Sequence, residues 1–141
     1  MLNFAAALLL ASSTPVEAPI LQSPTTVETQ VIERTYLKAS SGQRDALAKF
    51  IVANWFEMDR IAKEQGLFTH FRLSENLNAA AEWDFEVAVG YPNAEGFQNN
   101  EVQERFAEIR KAHKTILIDG KGLKELGRIV RSDRIRPREE G

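Results

Sequence analysis

The sequence predicts an α+β domain in which a four-stranded antiparallel sheet carries two helices on one face. Two long segments place apolar residues at the spacing of an amphipathic helix, and four shorter segments show the alternation or the β-branched residues typical of strands. These elements follow in the order strand–helix–strand–strand–helix–strand, which is two strand–helix–strand halves joined by a hairpin. A chain of 141 residues, 43% of them apolar, suits one such domain.

The charge and composition of the chain narrow the partners and cofactors to be expected. A net charge of -2 gives no general attraction to nucleic acid or to anionic membranes, so neither partner is expected. The chain has no cysteine, and its two histidines have no second ligand at metal-binding spacing, so no metal site is expected. No apolar run approaches the roughly 20 residues of a membrane-spanning helix.

The first 27 residues are predicted to lie outside the folded domain. Residues 1–18 resemble a signal peptide, because a short apolar run precedes small residues suited to cleavage. We therefore expect a periplasmic or secreted protein, with a cytoplasmic protein as the alternative. Residues 19–27 form a Pro/Ser/Thr-rich linker that is expected to be disordered. The domain is predicted over residues 28–136, followed by a solvated tail at 137–141.

A first strand, Val31–Lys38, and a first helix, Gln43–Gln65, open the domain. The strand is rich in β-branched and aromatic residues, and the helix ends at Gly66. Asn54 falls inside the apolar stripe of this helix, whereas Phe56 is predicted on the opposite side. A buried amide needs hydrogen-bond partners, which makes Asn54 a candidate site residue.

The next two strands, Leu67–Glu75 and Trp83–Tyr91, are predicted to form a hairpin. A register that sets Arg72 opposite Asp84 and His70 opposite Glu86 matches opposite charges and apolar residues at once. These four side chains, His70, Arg72, Asp84 and Glu86, are expected on the outer face of the sheet. That face is too apolar to leave in water, so we expect a homodimer that forms through it.

The second helix is predicted from Glu101 to Leu117, with His113 at the centre of its apolar stripe. Residues 119–122 have turn composition and are interpreted as a turn, because a phosphate-binding loop would need a strand and a helix around it. The last strand is predicted over Gly127–Ile135. Both helices then lie on one sheet face in the ferredoxin-like arrangement.

The element order, the helix sequence FIVANWFEMDRIAKEQG and the hairpin ending WDFEVAVGYPN are similar to the dimeric α/β-barrel superfamily. That group includes antibiotic-biosynthesis-type monooxygenases and small heme-degrading monooxygenases. The resemblance covers roughly residues 28–136 and implies a homodimer with a ligand cavity between helices and sheet. It implies that His113 matches the histidine of the heme-degrading branch, while the asparagine of that branch, on the first strand, has no counterpart.

Four residues, Asn54, Trp55, Trp83 and His113, are therefore predicted to line the cavity. Asn54 and His113 are the candidates for catalysis, with His113 as a general base or an iron ligand and Asn54 orienting the substrate. The alternative is structural: His113 bonds to a backbone carbonyl or to Asn54, Asn54 satisfies a neighbouring backbone group, and the tryptophans pack the core.

The sequence favours a non-catalytic module that binds a small apolar or aromatic ligand or serves as an interaction unit. The alternative is a small oxidative enzyme, similar to a cofactor-independent or heme-dependent monooxygenase. No cofactor is expected for the module, and heme is the one considered for the enzyme.

Overall fold

A computed structural model of the chain describes residues 27–139. The predicted signal peptide at 1–18, all but the last residue of the linker at 19–27, and residues 140–141 lie outside the described part. The strands are β1 (Val31–Ala39), β2 (His70–Glu75), β3 (Phe85–Tyr91) and β4 (Gly127–Ile135). The helices are α1 (Arg44–Phe50), α2 (Phe56–Glu64), α3 (Asn100–Ala112) and α4 (Leu123–Leu126), with a π-helical turn at Ile51–Trp55 and a 3-10 turn at Gly96–Gln98.

The four strands form one antiparallel sheet in the order β2-β3-β1-β4. Strands β1 and β3 form the central pair because the two halves of the chain interleave. Strand β4 pairs with the edge of β1 that faces away from β3. The helices pack against the sheet face that carries Leu37, Phe85 and Val87. This arrangement confirms the predicted α+β, ferredoxin-like fold.

The core consists of two clusters along the helix-facing side of the sheet. The first joins α1 and the π-helical turn to β1, β3 and α4, and its buried members are Leu37, Leu47, Phe50, Ile51, Phe85, Val87 and Leu126. The second joins α2 and α3 to the opposite end of β3, and its buried members are Ala62, Leu67, Phe68, Tyr91, Val102, Phe106 and Ile109. The site described below lies beside the second cluster.

A π-helical turn interrupts the first long helix and changes which side chains face the sheet. Segments α1, Ile51–Trp55 and α2 follow without a break, and the residues at their junctions keep right-handed helical dihedral angles. A π turn contains an extra residue, so the side chains that follow are rotated by roughly the 100° of one position. The prediction that Phe56 faces outward is therefore wrong: its ring packs edge-on against Phe71, 4.8 Å between centroids.

The hairpin has a register four positions away from the predicted one. His70 lies opposite Gly90 and Arg72 opposite Ala88, so the predicted pairings of Arg72 with Asp84 and of His70 with Glu86 are wrong. The imidazole of His70 occupies the space beside Gly90, where any Cβ atom would collide with it. Steric fit of this kind outweighs exposed ion pairs, which contribute about 0–1 kcal/mol each.

Helix α3 ends at Ala112, five residues before the predicted end at Leu117. His113 caps the helix with extended backbone angles, and the chain stays irregular until Ile118 pairs with Lys121. Between these two residues, Asp119 and Gly120 both have positive φ, which forms a tight hairpin turn. The predicted turn at residues 119–122 is confirmed, and so is β4 over Gly127–Ile135.

Candidate functional site

Asn54 and His113, the two central polar residues of the sequence, are in direct contact. Asn54 is 2% exposed and lies in the π-helical turn. Its Nδ2 donates to the carbonyls of Phe50 (3.0 Å) and Ile116 (2.8 Å). Its Oδ1 accepts from the backbone N–H of Ile116 (2.7 Å) and from Nε2 of His113 (2.9 Å). Every hydrogen-bonding position of the amide is therefore used within the protein.

These bonds determine which ring nitrogen of His113 carries a proton. The N–H and C=O of Ile116 orient the amide, so its Oδ1 is the atom that faces the imidazole. Nε2 of His113 must then carry a proton and donate it. A heme iron ligated through Nε2 would displace this bond. Neither Asn54 nor His113 lines the cavity between helices and sheet, so the prediction that they do is wrong and His113 is not placed to ligate an iron there.

The cavity between helices and sheet has a volume of about 290 Å³. Helix α2 and the π turn form one wall, β1 and β3 form the floor, and α3 with the 3-10 turn forms the remaining wall. Aromatic and aliphatic side chains dominate the lining, which comprises Thr35, Trp55, Met58, Asp59, Phe68, Val87, Val89, Tyr91, Phe97, Phe106 and Arg110. A mostly apolar cavity with a few polar groups is typical of a small-molecule site.

Asp59 is the unusual residue of this cavity. It is 6% exposed and has neither a hydrogen bond nor an ion pair to any residue of the described part, 27–139. Burial raises the pKa of its carboxyl group from 3.8 to about 7. A buried carboxyl without a partner is costly to the fold, and such groups concentrate at functional sites.

The contrast with Glu33, the nearby acid on β1, shows how a carboxylate in this region is normally satisfied. Glu33 accepts the backbone N–H of Phe97 at 3.0 Å and pairs with Arg134 at 3.5 Å. Burial, together with the charges of Glu33 and Asp59, raises the pKa of the Tyr91 hydroxyl, so Tyr91 stays protonated. Glu33 is thus satisfied by donors of the protein, whereas Asp59 has none among residues 27–139.

Sequence reasoning missed Asp59 because the helical wheel assumed an uninterrupted α-helix. On such a wheel Asp59 falls about 40° beyond Trp55, at the edge of the apolar stripe. The π turn rotates α2 so that Asp59 points inward with Ala62. A π turn leaves no distinct mark in the sequence, so the useful signal is the asparagine that it contains, Asn54.

Only one of the two predicted cavity tryptophans lies in the cavity. Trp55 lines it, as expected. Trp83 instead packs against Tyr36, 5.0 Å between ring centroids, on the face of the sheet away from the helices. The prediction for Trp83 is wrong because β3 begins at Phe85, two residues later than expected, so the alternation of the strand does not extend to Trp83.

The outer sheet face carries three of the four predicted dimer residues. Arg72 pairs with Glu86 at 3.4 Å, and His70 lies against Gly90. Asp84 is not on this face: it is 4% exposed at the end of the sheet. Its carboxylate accepts the N–H of Ala39 and pairs with Arg44 (2.7 Å) and Lys38 (3.3 Å).

A larger groove of about 820 Å³ runs between α2 and α3 and includes His113. Its lining includes Glu57, Gln65, Arg105, Glu108 and Lys114. The smaller cavity is the candidate site, because it contains a buried carboxyl that has no partner among the described residues. Among residues 27–139, no group of three or more acidic or histidine side chains is placed to hold a metal ion. Within the same range, no helix has the length and apolar character needed to cross a membrane.

Comparisons with known proteins support the fold. No protein-family model matches the chain, and no curated protein matches it either. Among solved structures, a dimeric ferredoxin-like protein from an uncultured marine organism aligns with a TM-score of 0.51 at 18% identity, over 79% of this chain and 89% of that one. A protein from Pseudomonas aeruginosa aligns at 10% identity with a TM-score of 0.44, over 82% and 98%. The chain has a ferredoxin-like fold.

Proposed function

We propose that this chain is a homodimeric, non-catalytic module that binds a small aromatic ligand in the cavity between its helices and sheet. The observation that carries this proposal is the cavity itself, in which aromatic walls surround the one unpartnered carboxyl of Asp59. Proteins retain such an arrangement at a cost in stability, and a bound ligand that satisfies the carboxyl explains it.

The size of the cavity limits the ligand. An engineered apolar cavity of about 150 Å³ binds benzene, so a cavity of this size accommodates a molecule with one or two rings. The rings of Trp55, Phe68 and Phe106 and the thioether of Met58 offer the contacts that aromatic ligands favour.

The homodimer rests on one exposed residue of the outer sheet face and on a structural neighbour. Tyr36 is already covered on that face by Trp83 and by the guanidinium of Arg131, 3.9 Å from its ring centroid. Ile135 remains 38% exposed, opposite Ile32 in the sheet. Pairing with a second copy would cover these isoleucines, and the marine structural neighbour is described as dimeric.

Tryptophan fluorescence tests ligand binding, because the two tryptophans lie on opposite faces of the sheet. The Trp83→Phe variant retains Trp55 in the cavity, and the Trp55→Phe variant retains Trp83 outside it. We expect 2-phenylethanol to change the emission of the first variant with a saturable dose dependence. The emission of the second variant should not change. A response from Trp83 alone, or from neither variant, contradicts the proposal.

An enzyme is the second candidate, and the pKa of about 7 for Asp59 is the observation that favours it. A carboxylate of this pKa is suited to remove a proton from a bound substrate at neutral pH. Acetophenone provides a test, because transfer of a methyl proton to Asp59 would give an enolate that takes a deuteron back from D2O. Deuterium uptake that is faster with wild type than with Asp59→Asn would favour the enzyme, and equal uptake would favour the binding module.

Export is proposed from residues 1–18 alone. We expect N-terminal sequencing of the protein purified from a secretion-competent bacterial host to begin after Ala18 or near Ser13. Recovery of the intact N-terminus from the cytoplasmic fraction would contradict this.

A further inference from the structure

We propose that the ligand of the helix–sheet cavity is an aromatic amine, bound as its ammonium ion by Asp59. This inference rests on the proposed binding function and adds the chemical class of the ligand. Three features of the cavity carry it: an unpartnered carboxyl, a surround of aromatic rings, and the absence of a protein cation in hydrogen-bond contact with Asp59 among the described residues.

The carboxyl of Asp59 is 6% exposed and points into a cavity that no other acid lines. An ionised carboxylate in such a place needs a hydrogen-bond donor, and a charged donor satisfies it far better than a neutral one. An ammonium group provides both the charge and up to three N–H donors.

The walls favour a cation as well. Five aromatic side chains line the cavity, namely Trp55, Phe68, Tyr91, Phe97 and Phe106. Aromatic faces attract cations, and a carboxylate combined with several rings is the combination that recognises organic ammonium ions. The aromatic part of the ligand would pack against the same rings.

The other charged groups around Asp59 leave it available. On α3, the exposed guanidinium of Arg110 lies over the ring of Phe106 at 5.2 Å and makes no ion pair with Asp59. On its own helix, Arg60 pairs with Glu57 and Glu64. On the sheet, Glu33 accepts the N–H of Phe97 and pairs with Arg134, and Tyr91 is protonated.

Ionisation of Asp59 makes the affinity depend on pH. With a pKa of about 7, the carboxyl is mostly ionised at pH 8 and about one-tenth ionised at pH 6. The amine stays protonated at both values, so its apparent affinity should fall by roughly tenfold from pH 8 to pH 6. A neutral ligand of the same shape should show no such change.

Calorimetric titration of the full chain with three matched ligands tests the proposal: phenethylamine, 2-phenylethanol and phenylacetate. We expect phenethylamine to bind at least about tenfold more tightly than the alcohol at pH 8. This preference should disappear at pH 6 and in Asp59→Asn, which should still bind the alcohol. Glu57→Gln, which removes an exposed carboxylate of the same helix, should leave the preference for the amine over the alcohol unchanged.

Equal binding of amine and alcohol, a preference for phenylacetate, or a preference that survives in Asp59→Asn would overturn the amine assignment and leave the binding function intact. Failure of all three ligands to bind would overturn the binding function together with it. Unfolding curves of Asp59→Asn, recorded alongside, establish that the variant is folded under the conditions of the titration.

Discussion

The side-chain amide of Asn54 binds Ile116 through both backbone groups of that residue, as a neighbouring strand would. Nδ2 donates to the carbonyl at 2.8 Å and Oδ1 accepts the N–H at 2.7 Å. The chain leaves α3 at Ala112 and is irregular here, so these bonds replace those that a longer helix would have made. The buried amide therefore attaches the segment after α3 to the π turn.

Asn54→Leu should lower the free energy of unfolding by roughly 2–4 kcal/mol, because four hydrogen bonds are lost and the Phe50 carbonyl loses its side-chain donor. His113→Leu removes one of the four bonds and should cost about 1 kcal/mol. The double variant should be more stable than the sum of these effects implies, by at least about 0.5 kcal/mol, because the residues touch. Denaturant unfolding measures all three.

His70 provides the control for this cycle. It lies at the start of β2, opposite Gly90. The double variant of Asn54→Leu with His70→Leu should be additive within the error of the measurement. Additivity in the His113 cycle as well would show that the bond between Asn54 and His113 contributes nothing to stability.

Asp59→Asn should stabilise the protein at pH 8. The pKa of Asp59 is about 7 in the folded protein and about 3.8 when unfolded, so the folded state holds its proton more tightly. Stability is therefore highest below the unfolded pKa, falls as pH rises from about 4 to 7, and then stays level. The cost of the ionised carboxyl reaches about 4 kcal/mol at pH 8 and less than half of that at pH 5.

The measurement is the difference in unfolding free energy between Asp59→Asn and wild type at pH 8 and pH 5. Asp133 is the matched control of opposite sign, since its hydrogen bond from Arg34 lowers its pKa. The ionised carboxylate of Asp133 therefore stabilises the fold above its unfolded pKa, and this stabilisation is lost on acidification. Asp133→Asn should lower the free energy of unfolding at pH 8. A pH-independent effect of Asp59→Asn would mean that this carboxyl is accessible to water.

Ile135→Glu should convert the proposed homodimer into a monomer. Ile135 lies on the outer sheet face opposite Ile32, and a carboxylate there would be desolvated by a second copy. Ile129 is on the same strand and is 50% exposed, but it lies opposite Leu37, on the helix side. Ile129→Glu should therefore remain dimeric in light scattering. A wild-type mass equal to one 15.9 kDa chain would rule out the dimer.

Gly90→Ala should destabilise the hairpin by about 1–3 kcal/mol, because the new Cβ would lie 2.5 Å from Nδ1 of His70 and from Oγ1 of Thr69. Adding His70→Ala should restore part of the loss. Gly122→Ala is the control, since its Cβ meets nothing closer than 3.7 Å. If Gly90→Ala unfolds at the wild-type denaturant concentration, His70 does not fix the register.

The element order and the sheet could be predicted from the sequence because periodicity reports which face of an element is buried. The contact between Asn54 and His113 was also foreseeable, since two polar groups predicted on the apolar stripes of two helices need partners. His113 proved to lie just beyond the helix, where Thr115, Ile116 and Ile118 favour extended backbone over helix.

The π turn and the hairpin register could not be predicted, for different physical reasons. The π turn changes the phase of a helix by one residue without altering its composition, and this misplaced Phe56 and hid Asp59. The register followed weak charge pairing in the prediction, whereas in the structure it follows the fit of His70 against Gly90. Both features depend on tertiary packing.

The position at which a small aromatic ligand binds tests the proposed function most directly. Chemical-shift mapping of the 15N-labelled chain with 2-phenylethanol locates the site without any substitution. We predict that the largest shifts occur at Thr35, Asp59, Val87 and Val89, which line the cavity. Shifts centred instead on Glu108, Ala112 and Lys114, in the groove between α2 and α3, would contradict it.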